Sequence, residues 1–198
     1  MPTVSVLVPV KNGAPFLAEA LESARNQTLE PLELIVVDDG STDGSDEIAV
    51  AHGARVIRQA NAGTAGAVNV ARVAARGELL ALLDADDRWA ADKLARQVDA
   101  LGDAGLLYGD MTVIDETGSV LRESWLGLVW DGEPPSGAGC FGALLAANPA
   151  TSSSILLRAD LSAGDEADAT TDGGAPEPPE GVEPDLRDAS GANVKSSG

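Results

Sequence analysis

One cysteine and one histidine, Cys140 and His52, stand among 198 residues. A lone cysteine excludes an internal disulfide and fits a reducing compartment, so the cytoplasm is the expected location. A lone histidine excludes any catalytic scheme that needs two. Positive charge is scarce as well: 13 Lys and Arg face 32 Asp and Glu, a formal net charge of -19. So acidic a chain repels nucleic acid and anionic lipid, and neither is expected as a partner. It also repels a nucleotide diphosphate unless a divalent ion bridges the two. Met1 leads directly into a strand-like run, with no basic segment and no long apolar one. No signal peptide is expected, and no stretch has the uninterrupted apolar length of a spanning helix. There is no internal repeat.

The remainder is ordinary for a globular chain, with 44% hydrophobic and 23% charged residues. Its length allows one domain with a real core, plus a tail. The organising stretch is residues 79–89, Leu-Leu-Ala-Leu-Leu-Asp-Ala-Asp-Asp-Arg-Trp. Its apolar half reads as a strand buried on both faces of a parallel sheet. Asp84, Asp86 and Asp87 then fall where open α/β sheets bind ligands, at the carboxyl end of a strand. Three neighbouring carboxylates repel one another unless a cation or donor groups offset the charge. Carboxylate oxygens suit Mg²⁺ and Mn²⁺, which commonly share such sites with substrate phosphates. The plainer alternative makes Asp86 or Asp87 a cap for the helix expected from about Ala91.

Strand and helix alternate up to that point, which predicts a parallel α/β sheet. Residues 4–10 form the first strand, closed by Pro9. Asn12-Gly13 turns the chain into a helix begun by Pro15 and faced with Leu17, Leu21 and Ala24. Residues 32–37 form a second strand, followed by a polar turn. Ser45 or Asp43 is the expected cap of the next helix. Residues 55–58 form a third strand, and an Ala-rich helix runs from about 67 to 75. After a helix from about 91 to 101 the pattern changes. Short strands are expected at 106–108, 111–114, 119–122 and 153–157, with an irregular stretch at 125–135 and a short helix at 141–147. The chain thus divides into an α/β core (1–105), a smaller mixed region of the same domain (106–161) and an acidic tail (162–198). The tail holds too few apolar residues to offset its ordering entropy and is expected to be disordered.

Six stretches carry a resemblance, in register over residues 3–101. They are Val-Ser-Val-Leu-Val-Pro-Val-Lys-Asn-Gly, Ala-Leu-Glu-Ser-Ala-Arg-Asn-Gln-Thr, Glu-Leu-Ile-Val-Val-Asp-Asp-Gly-Ser-Thr-Asp, Asn-Ala-Gly-Thr-Ala-Gly-Ala-Val-Asn, Ala-Arg-Gly-Glu and Leu-Leu-Asp-Ala-Asp-Asp-Arg-Trp. In this order they resemble the family 2 glycosyltransferases, enzymes with the A-type nucleotide-sugar-binding fold (GT-A). Residues 148–161, including Ser152-Ser153-Ser154-Ile155-Leu156-Leu157-Arg158, are similar to the family's acceptor-side strand.

The resemblance implies roles, residue by residue. Pro9, Val10 and Asn12 would line the base and ribose pocket. Asp39 would accept a hydrogen bond from the nucleobase, the imide N–H of a pyrimidine in a UDP-sugar; its plainer role is that of a turn residue. Gly63 and Asn69 would flank the sugar-nucleotide. Asp84 and Asp86 form the Asp-X-Asp (DxD) element beside Asp87, and one or more of the three would hold Mn²⁺ or Mg²⁺ against the diphosphate. Asp84 would meet the nucleotide as well as the metal. Lys11 stands where many members carry an aromatic that stacks on the base. The implied reaction is inverting transfer of a sugar to an acceptor hydroxyl, on a saccharide or lipid-linked saccharide. The family's base segment, an acidic pair before a helix, is not recognisable here; Asp165 and Glu166 fall near the right distance without such a helix. The alternative is a catalytically impaired nucleotide-sugar-binding protein with an acidic interaction tail. A nucleotidyltransferase is disfavoured because the basic, Gly-rich phosphate loop is missing.

Overall fold

A computed structural model describes residues 1–129 and 151–162. The elements follow as β1 (Val4–Val10), α1 (Ala14–Arg25), β2 (Glu33–Asp38), α2 (Ser45–Ala51), β3 (Arg55–Arg58), α3 (Gly63–Ala74), β4 (Leu79–Leu82) and α4 (Lys93–Leu101). Next come β5 (Leu106–Tyr108), β6 (Val113–Ile114), β7 (Val120–Arg122), a helical turn α5 (Leu126–Val129), β8 (Ile155–Arg158) and a last turn α6 (Ala159–Ser162). Six strands form one sheet in the order β3-β2-β1-β4-β8-β5. The first four are parallel, and β8 lies antiparallel between β4 and β5. A separate antiparallel pair, β6 and β7, stands apart from it.

Side chains on successive strand residues point to opposite faces, and the core divides accordingly. On one face Val4, Val6, Val8 and Val10 meet Leu17 and Leu21 of α1, Ala49 of α2, and Leu94 and Leu101 of α4. On the other, Leu7, Ile35, Val37, Ile57 and Leu80 meet Ala67 and Ala71 of α3. The result is an α/β sandwich with a mostly parallel sheet and helices on both sides, as expected for the GT-A-like class.

Several local expectations need correction. Pro9 does not end β1, which continues through Val10. Residues of one parity face β4, where Leu83 N–H donates to Leu7 O, and those of the other face β2, where Asp39 N–H donates to Val10 O. Pro9 shares Leu7's side, but the β4 pairing ends at Leu7–Leu82, so its missing N–H leaves no ladder bond unmade. Helix α3 starts at Gly63, four residues early, and α2 starts at Ser45 with Gly44 before it in the left-handed region. Residues 152–154 form a 3-10 turn rather than strand, and Leu126–Val129 is helical where an irregular stretch was expected. The helix expected at 141–147, the tail beyond Ser162, and Asp165 and Glu166 lie outside the described residues. No helix among the described residues is long and apolar enough to cross a membrane.

Candidate nucleotide-sugar site

Because β1 to β4 are parallel, their carboxyl ends share one edge of the sheet, and the singled-out residues other than Asn69 lie along it. At the end of β1, Asn12 takes a left-handed conformation (φ 54°) that asparagine tolerates well. Its N–H donates to Ser41 Oγ at 2.9 Å, and its Oδ1 accepts the Thr42 N–H at 3.0 Å. Gly13 N–H donates to Ser45 Oγ and Ala14 N–H to Asp43 Oδ2, at 3.0 and 2.9 Å. The loops after β1 and β2 are thereby stitched together. Pro9 and Val10 are buried beneath them, and Lys11 is exposed.

Asp39 follows β2 and is 3% exposed. Its Oδ1 accepts Gln59 Nε2–H at 2.6 Å and Ala62 N–H at 2.8 Å; its Oδ2 accepts Gly63 N–H at 2.9 Å. Burial pushes the Asp39 carboxyl up. The donors from Ala62, Gln59 and Gly63, with the nearby Lys11 ammonium, outweigh that and hold it below the usual range. The same carboxylate satisfies N–H groups at the α3 amino end, which explains the early start of that helix. Gly63 is exposed at φ +78° with nothing within 4 Å of where a Cβ would sit. Asn69 is exposed six residues further, about 9 Å along the helix axis from Gly63.

After β4, Asp87 N–H donates to Asp84 O at 3.1 Å, closing a four-residue turn with Ala85 and Asp86 at its centre. Asp84 and Asp87 are half-buried and Asp86 is exposed. Burial raises the Asp84 carboxyl above its ordinary range and the charge of Asp87 adds to this; a Ser152 hydrogen bond opposes it, and Asp86 raises it further. That is the electrostatic setting a cation relieves. Among the described residues no three His, Cys, Asp or Glu side chains gather into a ready-made metal cage. One or two carboxylates that share Mg²⁺ or Mn²⁺ with diphosphate oxygens need no such cage, so the donor set fits the group. The turn also abuts the loop after β1: a Cβ on Gly13 would lie 3.2 Å from Ala85 Cβ.

Residues 5–132 match the model of the family described as Glycosyl transferase family 2. The chain belongs to that family. Among the family 2 relatives, an uncharacterized glycosyltransferase of Rickettsia felis is 36% identical over 129 residues, 61% of this chain and 21% of its own. The putative glycosyltransferase EpsH of Bacillus subtilis is 39% identical over 107 residues, 52% of this chain and 31% of its own. The chain thus spans about a fifth to a third of the length of these curated relatives. Among solved structures, the mannosyltransferase PcManGT from Pyrobaculum calidifontis, in complex with GDP-Man and Mn²⁺, aligns with a TM-score of 0.57 and 25% identity, covering 81% of this chain and 45% of its own. Residues 1-349 of S. aureus TarS, in complex with UDP-GlcNAc, align at 0.62 and 23%, covering 80% and 46%. These establish the GT-A fold of this chain.

Two contacts have no signal in the sequence. Gln59 and the Ala62 N–H reach Asp39 from the loop after β3, and no spacing rule announces them. Ser153, within the strand expected at 153–157, lies in the 3-10 turn and accepts the Asp84 N–H.

Proposed function

We propose that this chain is the donor-binding core of a metal-dependent inverting glycosyltransferase that moves a sugar from a nucleotide-diphosphate donor, a UDP-sugar, to an acceptor hydroxyl. The observation that carries the reading is the Asp39 carboxylate, set beside the loops after β1 and β4 at one sheet edge. Three of its four lone-pair positions are filled, two on Oδ1 and one on Oδ2. Among the described residues, one acceptor position remains, on Oδ2. A uracil or thymine imide presents a single N–H to it. Guanine presents two adjacent donors and needs two acceptors.

Around the base, the loops after β1 and β2 wall the pocket through Pro9, Val10 and Asn12. Gly63 and Asn69 flank the sugar-nucleotide along α3, with the open space before Gly63 admitting the ligand backbone-close. At the diphosphate, Asp84 with Asp86 or Asp87 would hold Mn²⁺ or Mg²⁺, which would supply positive charge beside the leaving group. The acceptor hydroxyl attacks the anomeric carbon, its proton passes to a carboxylate base, and the nucleoside diphosphate departs with inversion at that carbon. No described carboxylate is assigned as that base. At α6, Ala159 N–H donates to Glu78 O at the opposite edge of the sheet.

Calorimetric titration with UDP in Mn²⁺ and in EDTA, on the native chain and on Asp86→Ala, tests the reading. UDP should bind much more tightly with the metal than in EDTA, and that gain should shrink in the variant. Equal affinity in all cases removes the metal site. Donor turnover with and without added saccharide acceptors then separates a transferase from a protein that only binds.

A further inference from the structure

Three consecutive serines precede β8, and all three face the loop after β4 or the helix beyond it. Ser153 Oγ accepts the Asp84 backbone N–H at 2.9 Å, and the Ser153 carbonyl accepts Trp89 Nε1–H at 2.9 Å. The Ser152 hydroxyl lies beside the Asp84 carboxylate and favours its charged form. The Ser154 carbonyl accepts Gln97 Nε2–H at 2.8 Å and Gly109 N–H at 3.1 Å, tying the turn to α4 and to the residue after β5. The turn is closed on itself, with Ser154 N–H and Oγ–H both donating to Thr151 O, at 3.0 and 2.8 Å. Ser153, Ser154 and Trp89 are buried.

Packing alone does not ask for serine here. A buried hydroxyl costs free energy unless its hydrogen bonds are made. Ser153 Oγ accepts the Asp84 N–H, and Ser152 sits against the carboxylate of the same residue. Asp84 lies just past the end of β4, where ladder hydrogen bonds no longer hold the chain. The antiparallel neighbour β8 delivers the serines to that point, because its amino end lies beside the carboxyl end of β4.

We infer that Ser152 and Ser153 are positioning residues of the donor site: they hold Asp84 in the orientation that meets the metal–diphosphate, and so make that orientation depend on the seating of β8. The inference rests on the metal reading above. It also gives the sheet's mixed character a purpose, since a fifth parallel strand would bring its carboxyl end, not a preceding turn, to this edge.

The test uses the full chain. Mn²⁺ affinity in the presence of UDP is followed by the EPR signal of free Mn²⁺, with UDP affinity in EDTA and the thermal midpoint measured alongside. Ser153→Ala should weaken Mn²⁺ roughly tenfold, the loss expected from one hydrogen bond to a buried N–H. UDP affinity in EDTA should stay as it was. Ser153→Thr keeps the hydroxyl and should restore most of the Mn²⁺ affinity. Ser152→Ala, which leaves the Asp84 N–H bond intact, should also weaken Mn²⁺ and guards against a folding defect in the first variant. Unchanged Mn²⁺ affinity in both alanine variants overturns the inference. So does a loss that threonine fails to restore, or an equal loss in EDTA, either of which reduces the serines to packing. Asp84→Asn separates the two layers: if it leaves Mn²⁺ affinity intact, the metal reading itself fails. If it weakens Mn²⁺ while the serine variants do not, only the positioning role falls.

Discussion

The Asp39 carboxylate satisfies the amino end of α3 and, among the described residues, keeps one acceptor position open on Oδ2. The count of lone pairs makes Gln59 a tuning residue. Removing its amide in Gln59→Ala frees a position on Oδ1, so that each oxygen has one open. That is the paired pattern guanine needs. Affinity for GDP should rise relative to UDP by about 1 kcal/mol, roughly fivefold, in parallel calorimetric titrations. A ratio that does not move would mean the base never meets this carboxylate. Lys93 presents a different residue-scale problem. Its Nζ lies 3.8 Å from the Trp89 ring centroid and has no hydrogen-bond partner among the described residues. Burial lowers its pKa to about 7. An unfolded lysine keeps its proton to about pH 10.4, so between the two values the unfolded chain binds more protons and stability rises with pH. The penalty is fully present below the folded value. Lys93→Met should therefore raise the thermal midpoint by several degrees at about pH 6, and the gain should fade toward pH 10. A pH-independent difference would show that the ammonium is not the source.

Among elements, the four parallel strands were readable because each centres on apolar residues that enter the core on both faces of the sheet. Their order in the sheet was not, because hydrophobic pattern reports burial and not neighbours. That is why β8, an apolar run like the others, concealed its antiparallel seat between β4 and β5. The same gap hid the start of α3: the capping carboxylate comes from Asp39, 24 residues before Gly63, so the local sequence around residue 62 carries no capping signal. Site residues contributed by strand ends were visible for the opposite reason, since a carboxylate that interrupts an apolar run stands out. The serine run gave no such contrast. The loops after β1 and β4 depend on one small residue where they meet. A Cβ on Gly13 would lie 2.7 Å from Val10 Cγ2 and 3.2 Å from Ala85 Cβ. Gly13→Ala should force them apart, lowering stability by about 1–3 kcal/mol as overpacked cores do. The loss of Mn²⁺-dependent UDP affinity should accompany the lower melting point. A variant that melts lower but binds normally would show that the two loops are not coupled through this contact.

At the scale of the whole molecule, a net charge of -19 surrounds a site proposed to take an anion. The sheet concentrates Asp84, Asp86 and Asp87 at the same edge, so the long-range field and the local one have the same sign. Salt separates their effects. Screening reaches about 10 Å at 0.1 M ionic strength, enough to mute distant surface charge while leaving a close contact nearly intact. In EDTA, UDP must approach against the whole field, and its affinity should rise as NaCl is increased. With Mn²⁺ present the ion is itself drawn to the acidic surface, and screening removes that attraction, so affinity should fall over the same range. Opposite slopes of affinity against salt, read from two calorimetric series that differ only in the metal, are the expected result. Slopes of the same sign would mean that the ion does not bridge ligand and carboxylates, and that the surface charge acts on UDP directly in both states.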